Sequence, residues 1–458
     1  MLNNFIKKEA PIQGLIGLGG GVTRISSSGG ESYWIATVVQ SGQSFVNRSL
    51  TVDSSGNVYV GGRCTGNTNT NEAAIVQLDK EGSLQWSRTL GTNSGTDRFY
   101  GLACDSSGNV IAAGEYDAFT QGSNDGVVAK YNSSGTIQWQ RTLGGSSSNN
   151  DSFQDVAVDS SGNVYVAGTV ALSNRNQYLI AKYNSSGTLQ WQNRYGAANG
   201  GVSLEGSSVA VDGSGNVYAA GYANNNSFNS TVVKLNSSGT LQWAREQTDA
   251  GFNDGRVITD SSDNVIVAVR AAASPGGLNL FKYNSSGTLQ WKKLLVSSGT
   301  NAPHDIAVDD SDNIYTMGWQ SVSGRGTDNI ITKWNSSGTL QWQRTIGNTT
   351  GEFQGGIHAA NSSVYVSSIS ENSSGYYVGF VAKLPDDGSG TGTYSMTDTT
   401  DYVYAASSFS TSTSSLSDNA APTTGYYAQS LNSATLTSTN SSLTDEAVTL
   451  SVNKTEVS

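Results

Sequence analysis

The chain has 458 residues, a formal net charge of −11 at pH 7 and only 13% charged residues. Length alone would predict about three domains, but an internal repeat takes precedence because repeated units share one closed architecture. The sequence shows no run of Lys and Arg, so we expect neither nucleic acid nor an anionic membrane surface as a partner. No segment approaches the roughly 18 apolar residues of a membrane-spanning helix.

Residues 1–30 precede the first repeat. This leader contains a Lys pair, but its apolar run is interrupted by Gly and is shorter than the core of a signal peptide. We therefore expect no secretion by that route.

The first repeated pattern is D-S-S-G-N-V-Y-V, in which Asn, Asp and Gly favour a tight turn before a strand. It recurs, with changes in the later copies, at seven positions, starting at Asp53, Asp105, Asp159, Asp212, Asp260, Asp309 and, in shortened form, Asn361. Each period contains four strand-length runs with partial two-residue alternation. Four antiparallel strands per repeat are typical of a β-propeller blade.

The second pattern, Y-N-S-S-G-T-L-Q-W, supplies one Trp in each of six repeats: Trp86, Trp139, Trp191, Trp243, Trp291 and Trp342. The last repeat lacks this strand, whereas Tyr33-Trp34-Ile35 lies one period before Trp86 without a repeat of its own. We therefore predict an all-β, seven-bladed β-propeller over residues 31–392, closed by the N-terminal strand in the last blade, which leaves no free edge between the first and last blades. Each Trp is expected to pack between adjacent blades.

The loops predict where binding occurs. In a four-stranded meander the first and third turns share one face of the disc, and these are the nearly invariant turns of the repeat. The second loops and the blade connections vary, and recognition usually resides in variable loops on a rigid scaffold. The candidate ligand-binding residues on that face are aromatic residues and arginines, with Asn224 to Asn226 beside one of them: Tyr116, Phe119, Arg175, Tyr222, Trp319 and Arg325.

Catalytic and metal motifs are weak. His304 and His358 have no partner at ligand spacing, so we expect no catalytic or metal role for them. The run from Asp309 to Asp312 lacks the spaced ligands of a Ca²⁺ loop and occupies the repeated turn. We expect no enzyme activity and no cofactor, and we expect Cys64 and Cys104 to be buried free thiols.

A glycan hydrolase or lyase is the enzymatic alternative. A hydrolase would require paired carboxylates at the mouth of the central channel. The candidates are Asp155, Asp254 and Asp305, near the starts of first strands, where turn and strand-end roles suit them equally.

Residues 393–458 form a Ser/Thr-rich C-terminal tail with too few apolar residues to bury a core by itself. Two interpretations remain open for it: a disordered linker, or a segment that becomes ordered on partner subunits.

The phrases D-S-S-G-N-V-Y-V-A-G-T and A-K-Y-N-S-S-G-T-L-Q-W-Q-R-T-L-G resemble the bacterial β-propeller repeat family of large surface and secreted proteins. That resemblance implies the fold and no activity, because the repeat is defined by blade-forming residues. The leader K-K-E-A-P-I-Q-G-L-I-G-L-G-G-G and the junction D-D-G-S-G-T-G-T-Y resemble the ends of structural proteins of marine and cyanobacterial tailed phages.

This second resemblance implies a non-enzymatic bacteriophage virion protein, associated with the tail or its fibres and located on the exposed surface of the particle. Its leader and tail would attach it to other virion proteins, and its disc would recognise a glycan or protein of the host surface. A capsid decoration protein and a bacterial surface or secreted propeller are the alternatives.

Overall fold

The computed structural model describes most of the repeat region and parts of the tail. The described residues are 25–26, 32–39, 44–65, 71–91, 95–118, 123–144, 150–172, 175–195, 203–224, 229–248, 255–271, 277–296, 303–322, 326–350, 354–371, 375–394, 401–407, 411–412, 417–420, 432–433, 437–440, 444–447 and 451–456. Within these ranges every regular element is a β-strand. None of the described residues belongs to a helix long and apolar enough to cross a membrane.

The strands form seven antiparallel blades arranged in a ring, which confirms the predicted fold. The first strands, which contact one another around the central channel, are Phe45–Val52, Arg98–Cys104, Ser152–Val158, Ser203–Val211, Arg256–Thr259, Pro303–Val308 and Ile357–Ala360. The second strands are Val58–Thr65, Val110–Ala118, Val164–Leu172, Val217–Asn224, Val265–Ala271, Ile314–Val322 and Ser363–Glu371. The third strands are Asn71–Leu78, Ser123–Tyr131, Arg175–Tyr183, Asn229–Leu235, Gly277–Tyr283, Gly326–Trp334 and Tyr377–Pro385.

The fourth strands show how the ring closes. In blades 1 to 6 they are Leu84–Gly91, Ile137–Gly144, Leu189–Tyr195, Leu241–Thr248, Leu289–Val296 and Leu340–Gly347. In blade 7 the fourth strand is the N-terminal strand Ser32–Val39, which pairs with the third strand in the register Trp34↔Lys383 to Val38↔Gly379. The two ends of the repeat region therefore share one blade, as predicted.

The conserved Trp of each fourth strand fastens its blade to the next one. Its indole N–H donates to a backbone carbonyl in the turn between the third and fourth strands of the following blade. The pairs are Trp34 to Lys80, Trp86 to Ser133, Trp139 to Ser185, Trp191 to Ser237, Trp243 to Ser285, Trp291 to Ser336 and Trp342 to Asp386, at 2.9–3.3 Å. Trp34 makes the same bond from blade 7 to blade 1. The ring is therefore closed by the same contact that joins each of the other six pairs of adjacent blades.

A Gly in that turn lies flat on the Trp ring. In blade 3, Gly187 has φ +76°, and a Cβ on it would lie 2.6 Å from Cδ2 of Trp139. Both the backbone conformation and the close approach of the ring therefore require Gly at this position.

The D-S-S-G-N turns are held by their own Asp, as turn chemistry predicts. Asp53 accepts the N–H groups of Ser55 and Asn57 on one carboxylate oxygen, and the side chains of Asn57 and Tyr59 donate to the other. Asp309 repeats this arrangement in blade 6. Turn formation therefore accounts for the acidic run that begins there.

The hydrophobic core is divided among the blade interfaces. Buried apolar residues of the described ranges form seven clusters, each built from two adjacent blades, including the pair of blade 7 and blade 1. Both cysteines are free thiols, as expected; Cys64 is buried in one of these clusters, whereas Cys104 is only half-buried. Burial raises the pKa of the Cys64 thiol to about 12, so it stays protonated at neutral pH.

The C-terminal segments add a further strand to the outer edge of every blade. Passing from blade 6 down to blade 1 and finally to blade 7, these strands are Tyr402–Ala406, Thr411–Ser412, Ser417–Ala420, Asn432–Ser433, Thr437–Asn440, Thr444–Ala447 and Ser451–Glu456. The first also pairs with Gly392–Tyr394, and the last pairs with the closing strand in the register Trp34↔Glu456 to Val39↔Ser451. The short strand Ile25–Ser26 also pairs with the closing strand. The tail thus follows the rim around the whole ring and pairs with the propeller itself.

Candidate binding site at the channel mouth

The two faces of the disc differ in their loops. The D-S-S-G-N turns and the turns that receive the Trp lie on one face, which we call the constant face. The second loops and the connections between blades lie on the opposite side, the variable face. The central channel opens on both, and its mouth on the variable face is formed where the first strands begin.

β-Bulges aim side chains into this mouth. In five blades the pairing of the first strand with the second skips one residue: Arg48, Tyr100, Gln154, Ser207 and His304. A bulge leaves one residue unpaired and redirects its side chain. All five skipped residues line the cavity at the channel mouth, so the bulges build a ring of polar side chains there.

The cavity at the mouth measures about 450 Å³ and receives residues from all seven blades. One lining residue from each blade, in blade order, is Arg48, Tyr100, Asn150, Tyr222, Arg256, His304 and Gln354. Amide, hydroxyl, imidazole and guanidinium groups predominate, which suits a hydroxyl-rich or charged ligand better than an apolar one.

Two of the three carboxylates considered for the hydrolase alternative, Asp155 and Asp305, line the channel, but they bind groups of the next blade. Asp155 accepts the N–H of Val209 at 3.0 Å and the hydroxyl of Ser208 at 2.8 Å. Asp305 accepts the N–H of Ile357 at 2.9 Å. Burial raises the pKa of both, and that of Asp305 reaches about 7.

The histidines of the channel are held neutral. Burial, reinforced by Arg256 and Arg48, lowers the pKa of His304 to about 3, and burial lowers the pKa of His358 to about 4. The Nε2 atom of His304 is buried without a hydrogen-bond partner in the described part of the chain. Within that part, no group of three His, Cys, Asp or Glu residues is arranged to hold a metal ion.

Three arginines from blades 1 and 2 meet beside the mouth. We call Arg48, Arg63 and Arg98 the arginine cluster. The guanidinium groups of Arg48 and Arg98 lie 5.6 and 5.7 Å from the ring centroid of Tyr100, and Arg98 forms an ion pair of 2.8 Å with Glu115. The Nε atoms of Arg48 and Arg63 are buried and lack hydrogen-bond partners among the described residues. Burial lowers the pKa of Arg48 and Arg63, and the neighbouring arginines lower it further.

The predicted ligand-binding residues have different surroundings. Tyr222 lines the mouth, where its hydroxyl donates to Glu205, which also accepts from Asn176. Tyr116 packs on the core between blades 1 and 2, and its hydroxyl lies 3.5 Å from a carboxylate oxygen of Asp125. Trp319 is half-buried in the second strand of blade 6.

The remaining candidates are not described in full. Arg175 and Asn224 lie at strand ends, paired with Leu172 and Ser203. Phe119, Asn225, Asn226, Arg325 and Asp254 lie outside the described residues.

The arginine cluster was missed by sequence reasoning because its members are separated by 15 and 35 positions in the chain. The available signal was the residue at the bulge position of each first strand, which varies while its neighbours keep the apolar pattern. Comparing the residue at this bulge position among the repeats would have identified Arg48 and Tyr100 as candidate site residues.

Comparison with family models supports the β-propeller repeat. Residues 138–169 and 190–229 match a family described as "Beta-propeller repeat". No curated protein is matched by the chain.

Among solved structures, the polysaccharide lyase Uly1 is 7% identical with a TM-score of 0.49, over 74% of this chain and 90% of that one. A protein of unknown function from Dyadobacter fermentans is 13% identical with a TM-score of 0.44, over 76% and 98%. Sqt1 from Chaetomium thermophilum is 11% identical with a TM-score of 0.41, over 75% and 97%. These TM-scores lie below 0.5, so no conclusion about this chain is drawn from the three likenesses.

Proposed function

We propose that this propeller is a non-enzymatic binding protein that recognises a surface glycan through the channel mouth on its variable face. The observation that carries the proposal is the polar cavity of about 450 Å³ to which all seven blades contribute. Loops on a rigid scaffold are the usual location of recognition. The seven repeated blade contacts supply that scaffold.

An array of neutral and acidic bacterial polysaccharides tests this proposal with two matched Gln variants. Gln154 is a bulged residue at the mouth, whereas Gln138 is exposed on the constant face, where its amide donates to Thr136. We expect wild-type protein to bind at least one glycan, Gln154→Ala to bind it more weakly, and Gln138→Ala to bind normally. Failure to bind any glycan, or a loss confined to Gln138→Ala, would contradict the proposal.

The location we propose is the exposed surface of a bacteriophage particle, with the leader and the tail as attachments. Support comes from the resemblance of the two ends to tailed-phage structural proteins. Gold-labelled antibody against residues 31–392, applied to lysates of the source culture, should mark particles. Label on tails would favour host recognition and label on heads would favour decoration. Label confined to cell envelopes would instead support a bacterial surface protein.

Glycan cleavage is the second candidate, because a buried carboxyl with a pKa near neutrality is typical of a general acid. Against it, both oxygens of Asp305 accept backbone N–H groups, those of Ile306 and Ile357. Incubation with the bound glycan should release no new reducing or unsaturated ends. Release that disappears in Asp155→Asn and Asp305→Asn would establish the enzyme instead.

A further inference from the structure

The arginine cluster carries more positive charge than its surroundings balance. It contains three guanidinium groups, and the carboxylate in contact with it is that of Glu115, which is already paired with Arg98. Arg48 and Arg63 have no carboxylate within ion-pair distance among the described residues. Buried charges are normally paired, so this arrangement favours an external anion as the missing partner.

Aromatic side chains extend the cluster toward blade 7. Tyr376 and Tyr377 are 39% and 45% exposed and are the large hydrophobic side chains that remain exposed in the described part of the chain. The backbone N–H of Tyr377 donates to Ser44, directly before the first strand of blade 1. The carbonyl of Ser44 accepts the N–H of Thr65, two residues after Arg63, so Ser44 links the loop of Tyr377 to the strand of Arg63. Exposed aromatic rings next to unpaired guanidinium groups are typical of binding surfaces.

We propose that the arginine cluster, with Tyr376 and Tyr377, binds an acidic polysaccharide. Its carboxylate or sulfate groups would bind the guanidinium groups of Arg48 and Arg63, and its sugar rings would pack on the tyrosines. Amide groups at the mouth, such as those of Asn150 and Gln154, would receive the neighbouring hydroxyl groups. The inference rests on the proposed function and names the chemical class of its ligand.

The acidic net charge of the chain does not prevent this binding. At physiological ionic strength the screening length is about 8 Å, so a polymer in contact with the cluster mainly experiences local charge. Guanidinium groups bind planar carboxylates and sulfate oxygens through paired hydrogen bonds, which favours Arg over Lys in such a site. Binding should weaken as salt concentration rises.

Isothermal titration calorimetry tests the inference with four probes: polygalacturonate, dextran sulfate, neutral dextran and oligo-dT. We expect binding of polygalacturonate or dextran sulfate, with the stronger of the two identifying the anionic group, and no binding of dextran. Arg63→Gln should weaken binding roughly tenfold to hundredfold, as expected for loss of a charged hydrogen bond. Tyr377→Ala should weaken it less and, being exposed, should not disturb folding.

The matched control is Arg194→Gln, because Arg194 is also partly buried but lies on the fourth strand of blade 3, away from the mouth. It should bind as wild type does. Equal binding of dextran, tighter binding of oligo-dT, or wild-type affinity in both Arg63→Gln and Tyr377→Ala would overturn the inference. If the array shows a neutral glycan bound while both acidic polymers fail, this inference is wrong and the proposed function stands. If no glycan binds at all, both fail.

Discussion

The constant and variable faces of the disc are built from the same strands but use polar residues in opposite ways. On the constant face, Asp, Asn and Trp are engaged in nearly identical bonds in one blade after another. On the variable face, the five bulged residues are all different, and Nε of Arg48 and Nε2 of His304 have no hydrogen-bond partner among the described residues. Repetition therefore supplies stability, and departures from the repeat mark the candidate site.

Carboxylates illustrate this difference. On the constant face, burial alone would raise the pKa of Asp159, but hydrogen bonds from Asn163, Tyr165 and Ser161 outweigh it and lower the pKa. In the channel, burial of Asp305 outweighs its two backbone hydrogen bonds, and the pKa rises to about 7. The same residue type is therefore stabilised as a carboxylate on one face and as a neutral acid in the channel.

Substituting Trp34 should produce the largest loss of stability. Trp34 is fully buried and fastens blade 7 to blade 1 through the carbonyl of Lys80. Trp34→Ala should lower the free energy of unfolding by about 3–5 kcal/mol, as for other buried aromatic residues. Urea unfolding measures the change.

Trp139→Ala is the matched control, because Trp139 makes the same contact while half-buried. Its expected cost is about 1–2 kcal/mol, within the usual range for a single substitution. Equal losses at the two positions would contradict the dependence of the loss on burial of the Trp side chain.

The opposite pKa shifts predict opposite pH dependence. The pKa of Asp305 is raised above its unfolded value of about 3.9, so its contribution to stability is complete below pH 4 and is lost as pH rises toward 7. Asp305→Asn should remove this loss and so flatten the profile between pH 4 and pH 8. Because its amide nitrogen cannot accept the second backbone N–H, the variant should also be less stable than wild type at pH 4 by about 1–3 kcal/mol.

Asp159 provides the comparison on the constant face. Its pKa is lowered, so its contribution is present above about pH 4 and is lost on further acidification. Asp159→Asn should therefore destabilise the protein at pH 7 and reduce the fall in the free energy of unfolding below about pH 4. Denaturant unfolding from pH 3 to pH 8 measures both variants, and parallel profiles for the two would refute this assignment.

Paired Gly substitutions test the packing of turn against Trp. Gly187 and Gly162 both have φ +76°, so either Ala variant incurs a backbone cost of about 1–2 kcal/mol. Only Gly187→Ala also brings a Cβ to 2.6 Å from the Trp139 ring, whereas Gly162→Ala brings one to 3.3 Å from Cβ of Ser185. We expect Gly187→Ala to cost about 1–3 kcal/mol more. Indistinguishable thermal midpoints would mean that the turn yields to the added methyl group.

Removing the tail should have the smallest effect on stability. Truncation after residue 407 deletes the outer strands from Thr411–Ser412 to Ser451–Glu456. Because these segments are short and polar, we expect a change within about 1 kcal/mol, comparable with one net hydrogen bond. The exposed outer edges should instead promote association, because unpaired strand edges recruit other strands. Light scattering should detect oligomers, and a strictly monomeric truncated protein would contradict the pairing of the tail.

The repeat carried enough information to predict seven blades, the role of the Asp turns and the closing strand, because each depends on local patterns repeated at fixed spacing. Pairing of the tail with the rim was not predicted, since strand addition uses backbone groups and leaves little trace in a Ser/Thr-rich sequence. The arginine cluster was not predicted because it depends on how bulges in blades 1 and 2 turn Arg48 and Tyr100 toward one another. Tyr222 was named as an aromatic residue of the variable face, and the structure places it near the end of a second strand, where it lines the mouth.

Hydrogen exchange measured with and without bound polygalacturonate tests most directly whether recognition occurs at the channel mouth. We expect slower exchange in peptides covering residues 45–50, 98–103 and 375–379, and no change in the constant-face turns at 132–138 and 184–190. Protection of those turns, with the mouth unchanged, would contradict recognition at the mouth.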